Sequence, residues 1–244
     1  MRSLRIALAV VLLAQPARAG AVEGLYLTWN GCALASNASH DLAWTCDSNV
    51  GESDLFCAFG VAAAVDSVLG VEVVVDVQHS AAALPDWWRF DVGGCRSGGL
   101  QADFDFTLHT ECADFYHGHA TGGLVYDPGQ PYGGANQARI RANASVLPGF
   151  GYATLDPANT YYAAQIVIRH SSTTLCTGCA QPACLVLNSI LLKRQPGAIG
   201  GDVMVTVPGP GNANWVTWQG GVGANCVAVP ARAVTWGRIK GLYR

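Results

Sequence analysis

The residues best suited to chemistry in this chain are sulfurs, imidazoles and indoles. Cys176-Thr177-Gly178-Cys179-Ala180-Gln181-Pro182-Ala183-Cys184 places three cysteines within nine residues, and Cys226 supplies a fourth downstream. Four thiolates on a C-x-x-C knuckle are what a tetrahedral structural zinc site requires. A redox-active C-x-x-C would need a helix N-terminus or a cation to stabilise its thiolate, and the surrounding sequence offers neither. The stretch Glu111-Cys112-Ala113-Asp114-Phe115-Tyr116-His117-Gly118-His119 gathers two carboxylates around an H-x-H pair. On an extended backbone His117 and His119 share a face, so with Asp114 or Glu111 they form a candidate metal site. The competing reading is an exposed polar loop beside a disulfide, with Gly118 and Gly122-Gly123 marking turns.

Seven tryptophans offer a different chemistry. Trp87 and Trp88 are adjacent, so on a strand they face opposite sides, one toward the core and one toward solvent or a loop. An exposed indole can stack on the C–H face of a pyranose, which makes Trp87, Trp88, Trp215 and Trp218 candidates for carbohydrate binding. Against this stands the ordinary use of Trp as a large core residue beside a disulfide, which carries more weight. Hydrolase and nucleotide motifs are absent: there is no G-x-S-x-G elbow, no H-E-x-x-H and no P-loop. A glycosidase carboxylate pair stays open, because 17 acids allow many pairs and a sequence contains no distances.

The compartment decides between metal and disulfide. Arg2 and Arg5, the apolar run Ile6 to Ala14 and Ala17-Arg18-Ala19 read as a secretory signal peptide spanning residues 1–19, with cleavage after Ala21 as the near alternative. The apolar run is too short for a bilayer span, and no later run approaches that length. Residues 20–244 are therefore expected to be secreted or in the cell envelope, extracellular or periplasmic, without a membrane span. Their net charge is 11 minus 17, or −6, which disfavours nucleic acid.

All nine cysteines lie in the exported part, and in an oxidising compartment they read as disulfides. Nine is odd, and Cys57 in Leu55-Phe56-Cys57-Ala58-Phe59 is expected to be the unpaired, buried thiol. Proximity suggests Cys32 with Cys46 and Cys95 with Cys112, leaving Cys176, Cys179, Cys184 and Cys226 to pair among themselves.

The elements that must position these residues are strands. Val71, Val73, Val75 and Val77 alternate with Glu72, Asp76 and Gln78, the pattern of a half-buried strand. Ala102 to His109 repeats it, with Phe104, Phe106 and Leu108 inward. Further strands are expected at Gly24–Trp29, Leu55–Val65, Trp88–Val92, Ala138–Val146, Tyr161–His170, Cys184–Lys193, Asp202–Val207 and Asn214–Gln219. Such spacing predicts an all-β, two-sheet antiparallel sandwich of the immunoglobulin-like or jelly-roll kind, stapled by disulfides. The Gly and Pro cluster at 127–136 is a linker or, as preferred here, a long loop within one domain covering 20–244. The last residues, Arg232 to Arg244, carry four bases and no acid among Trp236, Ile239, Leu242 and Tyr243. That pattern suits a closing strand, preferred here over a docking segment or a sorting tag.

Leu84-Pro85-Asp86-Trp87-Trp88, Asn136-Gln137-Ala138-Arg139-Ile140, Cys176-Thr177-Gly178-Cys179, Trp218-Gln219-Gly220-Gly221 and the terminal Thr235-Trp236-Gly237-Arg238-Ile239-Lys240-Gly241-Leu242-Tyr243-Arg244 together resemble a group of uncharacterised exported bacterial proteins. The resemblance spans most of the chain after residue 19. It implies bacterial export, and it transfers no catalytic residue and no cofactor. The functional expectation is a non-enzymatic binding or structural module, whose partner is a polysaccharide or another exported protein. The rivals are a Trp-based carbohydrate binder and a metal protein centred on His117 and His119.

Overall fold

The computed structural model describes residues 22–220, apart from Tyr132, Pro148 and Asn212. The expected signal peptide, Cys226 and the basic C-terminal stretch lie outside the described residues. Twelve strands follow in order: β1 (Gly24–Trp29), β2 (Asp41–Leu42), β3 (Glu52–Gly60), β4 (Val65–His79), β5 (Leu100–Asp103), β6 (Ala120–Pro128), β7 (Gln137–Val146), β8 (Ala153–Leu155), β9 (Thr160–Arg169), β10 (Ala183–Arg194), β11 (Val203–Val205) and β12 (Trp215–Trp218). They form two packed sheets, ordered β1-β3-β9-β5 and β2-β12-β10-β4-β7-β6, with β11 on β10 and β8 on β4. Pairing is antiparallel throughout except between β12 and β2. The expected two-sheet, disulfide-stapled β architecture is what the chain adopts.

Alternation in β4 decides which side of the large sheet becomes core. Val71, Val73, Val75 and Val77 are buried, joined by Ala138, Ile140, Ala142 and Ala144 of β7. Strand β10 does the same with Leu185, Leu187, Ile190 and Leu192. Its inward residues jump from 187 to 190 because the pairing with β4 shifts register between Leu187 and Ser189. This bulge re-phases the strand so that both halves keep their apolar residues inward. Across the interface, Trp29 of β1 meets Trp218 of β12 at 6.0 Å, and the Trp29 indole N–H donates to the Thr217 carbonyl at 2.9 Å.

Several expected elements are corrected. Trp88–Val92 is not a strand: Asp86–Trp88 form one turn of 3₁₀ helix. Side chains in such a turn are about 120° apart rather than opposed, so Trp87 and Trp88 are both fully buried. The strand expected over Ala102 to His109 is instead β5, which stops at Asp103, because side chains there compete for backbone partners. Asp103 accepts the Asp105 N–H at 2.9 Å, and Asp105 accepts the Thr107 N–H at 3.0 Å. Phe104 and Phe106 still turn inward, but Leu108 is 93% exposed. Gly122 and Gly123 lie inside β6 rather than in a turn. The 127–136 cluster ends β6 and forms its hairpin connection to β7, the two strands pairing from Ala120–Val146 to Pro128–Ala138.

Disulfide pairing also differs from proximity. The bonds are Cys32–Cys112, Cys46–Cys179 and Cys95–Cys176, spanning 80, 133 and 81 residues. In a sandwich, loops that meet at one end come from strands far apart in sequence, so spacing along the chain is a poor guide to contact. Cys184 is also disulfide-bonded. Cys57 is a buried free thiol whose pKa is raised by burial, leaving it a small hydrophobe at neutral pH.

Candidate functional site

The structure takes most of the sequence-derived site residues out of contention by burying or partnering them. Trp87, Trp88 and Trp218 have no accessible surface, so none presents a face for a sugar ring. Trp87 stacks on Trp218 at 4.6 Å and Trp88 meets Trp218 edge-on at 5.9 Å. Trp215 alone of the four candidates keeps a partly exposed ring, tilted against His40 at 6.2 Å.

The histidine site is likewise dispersed. Asp114 spends both carboxylate oxygens on backbone, accepting the Tyr116 and Gly118 N–H groups at 2.8 Å each. His117 sits at φ +52, so the extended backbone that would align it with His119 is absent. His119 stacks on Phe150 at 3.6 Å instead. Among the described residues no group of three or more His, Cys, Asp or Glu is placed to hold a metal ion. Cys176, Cys179 and Cys184 are oxidised and offer no thiolate.

One end of the sandwich gathers polar groups that the sequence did not single out. Ser53 Oγ lies 2.8 Å from His170 Nε2, and Trp44 stacks over the imidazole at 3.7 Å. Arg96 is buried beneath, its guanidinium 3.9 Å from the Trp87 ring centroid, and burial pulls its pKa down to about 10. Burial also lowers the His170 pKa, favouring neutral imidazole. Cys46–Cys179 and Cys95–Cys176 pin the loops around this cluster. Ser53 and His170 satisfy one another in this buried cluster, whereas Arg96 Nη2 has no hydrogen-bond partner among the described residues.

The outward face of the large sheet is different. Alternation that sends Ala138, Ile140, Ala142 and Ala144 inward sends Arg139, Arg141, Asn143 and Ser145 outward. Arg139 lies opposite Asp76 and grips it bidentately at 2.7 and 2.9 Å, while Asn188 at the β10 bulge donates to the same carboxylate. Arg141 pairs with Asp127 at 2.7 Å. On either side of Arg141 the face opens into two adjoining hollows of about 490 and 420 Å³. The first is lined by Glu72, Thr121, Arg141, Asn143, Ser145 and Lys193, with Leu69 and Val125 as apolar patches. The second is lined by Asp127, Gln130, Arg139 and Arg141.

Gly123 adjoins three residues that line the first hollow. It lies opposite Asn143 between Thr121 and Val125, and a Cβ built there meets nothing within 4 Å. Unlike Asp76, the side chains of Glu72, Thr121, Asn143 and Ser145 make no hydrogen bond among the described residues. They present a carboxylate, an amide and two hydroxyls to solvent on a rigid sheet. The sequence held half of this signal, since Glu72, Asp76 and Gln78 read as the polar face of β4. The other half, β7, became visible only when its register against β4 and β6 placed the two polar rows side by side.

The chain matches no protein-family model, no curated protein and no solved structure. Among the described residues no helix is long and apolar enough to cross a membrane.

Proposed function

We propose that this chain is an exported binding module that takes a hydroxyl-rich ligand, a polysaccharide, on the outward face of its large sheet. The observation that carries the reading is the open groove along β4, β6 and β7, with unengaged carboxylate, amide and hydroxyl groups beside Arg141. Planar Glu, Asn and Arg groups bond vicinal hydroxyls in pairs, and Val125 and Leu69 offer apolar surface to the C–H edges of a sugar ring. Such a site needs few polar groups held rigidly, which paired strands supply. The disulfides fit an oxidising compartment, and export by residues 1–19 would deliver the chain there.

Retention on a panel of insoluble and soluble polysaccharides tests the reading. Wild-type chain should be retained by at least one of them, and Glu72→Gln with Arg141→Ala should lower that retention about tenfold or more, each hydrogen bond to a charged group being worth about 1.5–3 kcal/mol. Retention unaffected by both substitutions, or capture only by a protein partner, would reject it.

A further inference from the structure

We propose that Cys226 is bonded to Cys184, and that this bond seats the C-terminal segment, residues 227–244, on the outward face of the large sheet over Val186 and Trp215. Of nine cysteines, six form the three bonds between described residues and Cys57 is free. Cys184 is disulfide-bonded, and Cys226 is the cysteine that remains. The inference is independent of what occupies the groove.

Geometry places the anchor. In β10, Leu185 and Leu187 belong to the main core, so Cys184 and Val186 point the other way. They form a separate apolar cluster on that outward face, and Trp215 of β12, opposite Val186, packs against it. Cys184 is fully buried and Val186 only 2% exposed, although both face away from the core. Residues on an outward face reach such burial only under a cover. A segment anchored at Cys184 begins directly above them.

Charge selects the same occupant. Residues 22–220 hold 7 Lys and Arg against 17 Asp and Glu, a net −10, whereas residues 221–244 hold Arg232, Arg238, Lys240 and Arg244 and no acid. Next to the apolar cluster, Asp41 accepts the Thr217 hydroxyl on the neighbouring strand and Asp76 lies opposite Val186. A segment mixing cations with Trp236, Ile239, Leu242 and Tyr243 matches an apolar strip flanked by carboxylates.

Two measurements on the intact, unreduced chain test this. Peptide mapping without reductant should yield a Cys184–Cys226 linked pair; Cys226 found free or bonded elsewhere would overturn the proposal. Zero-length carbodiimide coupling then locates the segment, because Lys193 and Lys240 are the chain's two lysines. Lys240 is 14 residues beyond Cys226 and could reach about 45 Å, so its position is not forced by the bond. Coupling of Lys240 to Asp41 or Asp76 within one molecule supports the proposal. Coupling only to Glu72 in the groove, only to Asp103, Asp105 or Glu111 on the opposite side, or only between molecules, would overturn it. Cys226→Ser should also make tryptic cleavage after Arg232 and Arg238 about tenfold faster, by freeing the segment from its anchor.

Discussion

The two sheets of this sandwich treat their outward faces in opposite ways. On the four-stranded sheet the outward face is aromatic and covered. Phe106 stacks on Tyr162 at 4.5 Å and nearly parallel, His109 meets Phe56 edge-on at 5.2 Å, and the Tyr162 hydroxyl donates to Glu111 at 3.0 Å. The segment that supplies these contacts, residues 104–119, has little regular structure of its own and is tied down by Cys32–Cys112. On the eight-stranded sheet the exposed half of the outward face is polar and built of strands, with ion pairs at Asp76–Arg139 and Asp127–Arg141 beside unengaged groups. Where apolar residues face out, the chain adds a covalently held cover; where they do not, the face is left to meet other molecules.

Breaking the cover should have the largest effect. Replacing Cys32 and Cys112 together by serine opens a loop of 80 residues and should cost about 4 kcal/mol on loop-entropy grounds. Thermal unfolding should drop accordingly and the native state should bind an apolar dye, because Phe106 and Tyr162 lose their closure. A midpoint unchanged from wild type would mean that aromatic stacking alone holds the segment.

On the other sheet, the pair that should matter is Asp76–Arg139. Asp76 is 5% exposed, so Arg139→Ala leaves a carboxylate among strands with Asn188 as its remaining side-chain donor among the described residues, and should cost about 3 kcal/mol in denaturant unfolding. Arg141→Ala, whose partner Asp127 is a third exposed, should cost less than about 1 kcal/mol. Equal losses for the two would remove the distinction between a structural pair and a ligand-facing one.

These contrasts explain what was legible beforehand. The strands β4 and β7 follow from alternation because burial on one face imposes a period of two, whereas β9 and most of β10 read as apolar runs because both of their faces are covered. Residues 104–109 carry the same period and were misread as a continuing strand, because Asp103 and Asp105 turn the backbone without disturbing the apolar spacing. Trp87 and Trp88 were misread for a related reason: adjacency implies opposed faces only if the backbone is extended. The groove was half visible, since β4 showed its polar row but the neighbouring row depends on register, which no local pattern encodes. Disulfide partners were illegible because they join loops 80 or more residues apart.

Acid should separate the faces more gently. The Glu111 backbone N–H and then the Tyr162 hydroxyl hold the Glu111 carboxyl below its usual pKa. A depressed carboxylate pKa adds stability that is present above the unfolded value, near 4.5, and is lost as pH falls through the folded value. Between pH 5 and pH 3 the wild type should therefore lose slightly more stability than Glu111→Gln, which has no such proton to take up. Parallel pH profiles for the two proteins would show that the Tyr162–Glu111 contact does not help to hold the cover.

The smallest effect on stability should come with the clearest effect on binding. Gly123 lies between Thr121 and Val125, which line the groove, and a Cβ there meets nothing within 4 Å, so Gly123→Phe enters without a clash at its first carbon. Phe also favours extended backbone more than Gly does, and β6 should be stabilised by up to about 1 kcal/mol. The ring would fill the space between Thr121 and Val125 and cover Asn143 across the pair. Thermal unfolding should stay within about 0.5–1 kcal/mol of wild type while polysaccharide retention is lost. A variant that is equally stable and still retained would place the ligand elsewhere, and the difference between the two faces would then concern folding alone.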